Sequence, residues 1–381
     1  MSDGEAGAGK LKSKSSQPAR VAIIGGGVAA LEAMLALDAS SHSKVDVHLF
    51  SPESNFVLKP LAVSSGFGRG GVLTFDLPKL TATSGATFHN SSVSEVVASR
   101  QVIRLSDDSE FDYDYLIAAP GAKPLESVPG ALPYRWSAGK DAVSEALAAL
   151  PERESAKIAV TMPEDGSWPL PLYELAMLIA DELGPGASIA VVTPEESPLD
   201  LFGKAGTEKV GGLLQARNIE TILETAPSEY RDGVLVTTGG RQIEADLVIA
   251  LPRLVGRQIP GLPCDEHGFI PVDEFGLIEG HSREYAAGDV TSFPVKFGGL
   301  AAEQADVVAA AIAAAAWRAP APEPFEPVYR ATLVTDDGLI GLGPGAESSG
   351  AYGWDPAEKV HGKFLMPFLK AADPAALGLR E

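Results

Sequence analysis

Runs of apolar residues without alternation recur along the chain, and their spacing predicts one structural plan used twice. The first copy opens on the strand "RVAIIGG", continues through an apolar helix ending at Leu37 and reaches a second strand, "VDVHLFSPE". It closes on "VIRLSDDSEFDYDYLIAAPGAKPLESVPG". The second copy opens on "KIAVTM", passes through a helix ending at Leu183 to "SIAVVTPEE", and closes on "GVLVTTGGRQIEADLVIALPRLVGRQIPG". Each ending reads as a β-hairpin, an acidic-polar stretch, a continuous apolar strand and a loop finishing on Pro-Gly. Strands apolar at consecutive positions are buried on both faces, as in parallel sheets covered by helices. Strand–helix–strand units at this spacing take right-handed crossovers. The predicted fold class is therefore α/β, with two doubly wound, Rossmann-like domains.

After the second copy, "GFIPVDEFGLIEGHSREYAAGDV" and an Ala-rich helix from about Leu300 to Trp317 follow. "APAPEPFEP" reads as an extended linker. From Val328 on, a strand "YRATLVTD", a Gly-rich loop and a short helix near "HGKFLMPFLK" form a small C-terminal α+β segment. The expected boundaries are a disordered tail at 1–19, a first domain built from 20–150 and 257–320, a second at 151–256, and the C-terminal segment at 321–381.

Composition narrows the function. A chain of 381 residues with 45% hydrophobic and 21% charged residues is a soluble globular protein too long for one ordinary core. A formal charge of −21 opposes phosphate backbones and anionic lipid, so nucleic acid is not an expected partner. The lone Cys264 excludes an internal disulfide or a cysteine-pair redox centre within one chain. It is compatible with a reducing cytoplasm, the expected location, with the inner face of a membrane as the variant. The opening "MSDGEAGAGKLKSKSSQPAR" has no apolar segment of a secretory signal. The run Val21 to Leu37 is interrupted by three glycines and Glu32 and is short for a membrane span. Six histidines are scattered singly, so no metal site is expected, and the phosphate-binding pattern G-x-x-x-x-G-K-[ST] is absent.

The strongest local chemistry lies in "VAIIGGGVAALEAMLAL", which fits G-x-G-x-x-A with Gly25, Gly27 and Ala30 between a strand and a helix. Gly25 permits the tight turn, Gly27 lets backbone approach a pyrophosphate, and Ala30 allows close helix–sheet packing. The helix start at Val28 and Ala29 adds a dipole favourable to the phosphates. The acidic ribose-binding position at the end of the second strand falls by register on Ser51, with Pro52 next and Glu53 two residues beyond. Either the Ser51 hydroxyl or Glu53 reaching back fits that role.

A second motif sets the cofactor. "YAAGDVTSFPVKFGGLAAEQA" carries Gly288-Asp289 after an apolar strand, then Lys296, Phe297, Gly298, Gly299 and Leu300 at a helix start. It resembles the second flavin motif of the pyridine nucleotide-disulfide oxidoreductase superfamily. That resemblance implies non-covalent FAD, with Asp289 on the ribityl chain and the helix N-terminus aimed at the flavin. A positive helix end stabilises the negative charge that a reduced flavin carries near N1 and O2. "LIAAPGAKP" stands where the family has its A-T-G strand end, which implies backbone contacts from Ala119, Pro120 and Gly121, Pro120 replacing a threonine.

Within the superfamily the chain is similar to the sulfide:quinone oxidoreductase and type II NADH dehydrogenase branch, over about Val21 to Leu369. "SPESNFVLKPLAV", with Lys59 and Pro60, looks like the segment leading to the isoalloxazine edge, and Val93 is placed with it. "PVYRATLVTDDG" and "KVHGKFLMPFL" look like the branch's C-terminal section. The latter is favoured to dock against its own domain or a dimer partner rather than dip into a membrane.

The second copy departs from both relatives. In "IAVTMPEDGSWPLPLYELAMLIADEL" a nicotinamide-binding glycine fingerprint is missing, which leaves NAD(P) doubtful. The position of the sulfide enzymes' reactive cysteine falls on Trp168. Trp168 and Pro169 are read as substrate-side residues, with Trp168 either stacking on the isoalloxazine or packing in the core. Glu174 matches a glutamate that the resemblance associates with proton transfer, and helix N-terminal stabilisation is its other reading. Lys296 is the second candidate catalytic group, as a cation beside reduced flavin. The expected function is FAD-dependent transfer of electrons from a small donor to a quinone or other small acceptor. The alternatives are an NAD(P)H-dependent flavin reductase and a non-catalytic flavin-binding sensor.

Overall fold

The structure, a computed structural model, describes residues 18–41, 45–59, 62–69, 72–135, 142–345, 360 and 362–372. The tail up to residue 17 and Pro60 lie outside the described residues. Two five-stranded parallel sheets organise the rest. In the first, the strand order is Glu284–Ala286, Tyr115–Ala118, Ala19–Ile24, Val45–Phe50, Thr87–His89. In the second it is Leu132–Pro133, Leu247–Ala250, Lys157–Thr161, Ser188–Val192, Glu220–Ile222. The opening strand of each copy is thus central, with its closing strand on one side and its second strand on the other. Both copies also carry a three-stranded antiparallel excursion before the closing strand, at residues 93–112 and 227–244. The repeat read from the sequence is a repeat of topology.

Each sheet takes its fifth strand from outside its own copy. Glu284–Ala286 returns from downstream to complete the first sheet, while Leu132–Pro133, well before residue 151, is hydrogen-bonded in the second. Two connections therefore cross between the halves. They pair with each other as an antiparallel ribbon, Ala122–Leu125 against Arg253–Gly256.

The two principal helices are apolar nearly all round because they are covered on both sides. Helix Val28–Ser41 lies between its sheet and helices Gly298–Trp317 and Leu365–Ala372. Helix Leu170–Leu183 lies between the second sheet and the C-terminal hairpin, whose strand Ala331–Thr335 packs on it. Gly298–Trp317 is, among the described residues, long and apolar enough to cross a bilayer by length and composition. Its Ala301, Ala305, Val308 and Ile312 are instead buried in the first core.

Glu32, which interrupts the first apolar run, is fully buried and has a structural task. Its carboxylate accepts the backbone N–H groups of Phe364 and Leu365, each at 2.7 Å, and so caps the C-terminal helix. That helix buries Leu365, Met366 and Leu369 against the first domain.

Candidate FAD site

A cavity of about 930 Å³ runs between the two sheets at the carboxyl ends of their strands, the place where open α/β sheets bind ligands. Its first wall is the turn Gly25–Gly27. Gly25 has φ +128°, and a Cβ there would lie 2.1 Å from the Ala119 carbonyl oxygen. This glycine is needed for the close passage of two strand ends. Gly27 has nothing within 4 Å of the equivalent point, so its open side faces the cavity. Gly288, at φ +81°, is pressed against the methyl groups of Ala29 and Ala301. That contact brings the N-termini of helices Val28–Ser41 and Gly298–Trp317 to the same cavity. Gln304 Oε1 fixes the junction by accepting the Gly288 N–H at 2.7 Å. Two converging helix N-termini, an open glycine and a cavity of this size fit a dinucleotide.

Most of the sequence-derived candidates line this space: Gly25, Gly27, Val28, Ala29, Ser51, Pro52, Glu53, Lys59, Val93, Ala119, Pro120, Gly121, Gly288, Asp289, Lys296, Phe297 and Gly298, together with Trp168 and Glu174. Ala30, Pro169, Gly299 and Leu300 stand behind the wall. Ala30 and Leu300 are core residues, Pro169 caps its helix, and Gly299 sits under the Phe297 ring. Ser51 is buried, and its hydroxyl accepts the Glu53 N–H at 3.2 Å, so Glu53 is the more exposed of the two ribose candidates.

Asp289, Lys296 and Lys59 form the charged part of the site. Burial raises the Asp289 carboxyl, and the two lysines pull it back down. Lys296 is only 6% exposed. Its ammonium donates to the Thr291 carbonyl and lies 4.1 Å from the centre of the Phe269 ring. Burial lowers its pKa to about 8, against the opposing pull of Asp289 and Asp265. Any rate that depends on the Lys296 cation should therefore fall as pH rises through about 8. A rate profile from about pH 6 to 9.5 should lose that limb in Lys296→Gln.

The second copy builds its turn differently. The first helix starts directly after residues 25–27, whereas residues 162–169 separate strand Lys157–Thr161 from helix Leu170–Leu183. Gly166 belongs to a tight turn whose N–H meets the Pro163 carbonyl at 3.0 Å, and a Cβ there would strike Met162. Trp168 lies flat on Phe297, with ring centres 4.1 Å apart and 14° between planes, and Phe202 meets it edge-on. The Lys296 N–H donates to the Ser167 carbonyl at 3.3 Å. The second-half turn thus grips the start of the flavin-side helix.

Glu174 is fully buried and borders the cavity. The sequence reading put it on the helix's first turn, but the helix begins at Leu170 and that turn holds no acid. Dipole stabilisation fades beyond the first turn, and Glu174 lies on the cavity wall.

In the second half Thr193 holds the position directly after strand Ser188–Val192, as Ser51 does in the first, and Glu195 lies two residues beyond, as Glu53 does. Glu195 Oε2 accepts the Tyr173 hydroxyl at 2.6 Å and the Thr193 hydroxyl at 2.9 Å. Burial raises its pKa to about 7. The folded protein therefore binds a proton that the unfolded chain releases, and this contribution to stability is lost as pH rises from about 4.5 to about 7. Glu195→Gln should gain about 1 kcal/mol at pH 8 and nothing at pH 4, read by urea unfolding at the two pH values.

Arg135, Arg257 and Arg330 also line the cavity, and the sequence reading did not single them out. No motif surrounds them. Arg330 arrives on the C-terminal hairpin and Arg257 on the crossing ribbon, so only the assembled chain shows their place.

Residues 19–161 and 173–315 match the pyridine nucleotide-disulphide oxidoreductase family. The chain belongs to that family of FAD-binding oxidoreductases, and the unmatched residues 162–172 contain the Trp168 turn. The sulfide:quinone oxidoreductase of the hyperthermophilic bacterium Aquifex aeolicus is similar in structure. Its TM-score is 0.76 at 17% identity, over 86% of this chain and 85% of that one. The NDH2 structure of Plasmodium falciparum in complex with NADH has a TM-score of 0.67 at 14% identity, over 95% of each chain. At these identities the likeness is one of fold. Among curated proteins, the oxidoreductase ptaL of Pestalotiopsis fici is 26% identical over 190 residues, 48% of this chain. The match spans about half of that relative, 49% of its length.

Proposed function

We propose that the protein is an FAD-dependent oxidoreductase that takes electrons from a small donor other than a tightly held nicotinamide and passes them to a quinone or another small acceptor. The observation that carries this reading is the contrast between the two turns. Gly27 opens on the cavity, while the corresponding turn of the second half is filled by Trp168 on Phe297. Bound in the cavity, FAD supplies the two-electron chemistry. The chain supplies the surroundings: helix N-termini and Lys296 for negative charge, Glu174 for a proton, and Trp168 with Leu170 and Pro171 as the substrate wall. The sulfide:quinone relative supports the quinone side of the reading. Domain limits of 20–150 with 257–320, and 151–256, belong to the same proposal.

One observation favours a second reading, NAD(P)H as donor: Glu195, an acid two residues past the strand-end ribose position. Its carboxylate is already held by Tyr173 and Thr193, which ranks this reading second. Anaerobic visible spectra of the purified protein decide between them. The flavin should persist after NADH or NADPH and bleach with a non-nicotinamide donor such as sulfide or a reduced quinone. Rapid bleaching by NADH would overturn the first reading, and no bleaching by any donor would favour a flavin-binding sensor. A protein unable to take up FAD would remove the basis of all three.

A further inference from the structure

The crossing ribbon has two unlike faces. Its register pairs Lys123 with Val255 and Leu125 with Arg253, and side chains alternate across a strand. Ala122, Pro124 and Leu254 line the FAD cavity. Lys123, Leu125, Arg253 and Val255 line a separate pocket of about 570 Å³ on the other side, which Arg257 and His267 complete. Leu125 is, among the described residues, the one large hydrophobic side chain singled out as exposed, at 39%. Lys123 and Arg257 make no ion pair with another described residue, Arg253 pairs with Asp165 at 2.7 Å, and Glu266 is the pocket's carboxylate. Around an exposed leucine the pocket thus holds Lys123 and Arg257, with Arg253 paired to Asp165 and His267 3.8 Å from Glu266.

We propose that this outer face is a binding site for a small anion carrying phosphate or carboxylate groups and an apolar portion. The anionic groups pair with Lys123 and Arg257, and the apolar portion rests on Leu125 and Val255. Local charge complementarity selects the ligand, since salt screens the opposing net charge beyond about 8–10 Å. Arg257 and Gln258 line both this pocket and the FAD cavity. An anion that draws the Arg257 guanidinium outward alters the electrostatics beside the flavin, so occupancy outside is linked to the redox site inside.

Isothermal titration of the FAD-loaded full chain with pyrophosphate, inorganic phosphate and phenyl phosphate tests this. Pyrophosphate should bind at one site and weaken about tenfold in Lys123→Gln and in Arg257→Gln, with FAD content unchanged in Lys123→Gln. Phenyl phosphate should bind more tightly than inorganic phosphate, and Leu125→Ser should abolish the difference. If Arg257→Gln loses FAD, the pair Lys123→Gln and His267→Gln carries the same comparison. The visible spectrum should shift on pyrophosphate addition in the wild type alone. No heat with any probe, or affinities unchanged in the variants, would overturn the site. So would pelleting with phosphatidylserine vesicles that Lys123→Gln abolishes while no small probe binds, which would assign the face to a membrane. If the FAD reading fails, the titration is repeated on the full chain without flavin, with the Lys123→Gln and Leu125→Ser differences as its readout.

Discussion

Gly27→Val should yield a folded protein that has lost its flavin, and Gly25→Ala should yield one that has lost the site's architecture. The two glycines stand two residues apart in one motif, yet their surroundings are opposite. A Cβ at Gly27 meets no protein atom within 4 Å beyond its chain neighbours. Its cost falls on the ligand, because the backbone can no longer approach the pyrophosphate. Losing one or two charge-assisted hydrogen bonds amounts to about 3 kcal/mol, a weakening of FAD of about a hundredfold or more. Gly25 combines φ +128° with a 2.1 Å overlap on the Ala119 carbonyl. Strain and overpacking there should lower stability by about 2–6 kcal/mol. Thermal unfolding of both apoproteins, with flavin retention after gel filtration, separates the effects. A Gly27→Val protein that keeps stoichiometric FAD would falsify the placement of the pyrophosphate.

That contrast also marks what the sequence could disclose. Both glycines obey one pattern, and their conformational roles follow from the strand–turn–helix context. Gly288-Asp289 and Glu174 came instead from the family resemblance, and all three residues line the cavity. The two sheets were legible because unbroken apolar strands admit few arrangements. Contacts between distant segments were not. Trp168 was assigned to the substrate side by position, but its stacking partner Phe297 lies in another part of the chain, and no local pattern pairs them. Glu32 read as a polar interruption because its partners, the N–H groups of Phe364 and Leu365, belong to a helix more than three hundred residues away. The two-residue strand Leu132–Pro133 is too short for any periodicity, so the second sheet begins earlier than the repeat suggested.

Glu174→Gln should reduce turnover by about a hundredfold to ten-thousandfold, the range lost with a general acid–base group, while FAD content and fold stay as in the wild type. The exchange keeps the side chain's shape inside helix Leu170–Leu183, where neighbours on every side tolerate little change of volume. It removes only the capacity to release and recover a proton. The placement makes the test sharp: Glu174 is fully buried, past the first turn, and on the cavity wall. A residue there serving helix electrostatics would change stability and leave turnover alone. A proton-transfer residue does the reverse. Comparing anaerobic half-reactions locates the step, because Glu174→Gln should slow whichever half releases or consumes a proton on its side of the cavity. Equal turnover of the two proteins with every donor that bleaches the wild type would remove Glu174 from the chemistry and leave the Trp168 turn as a wall without a proton carrier.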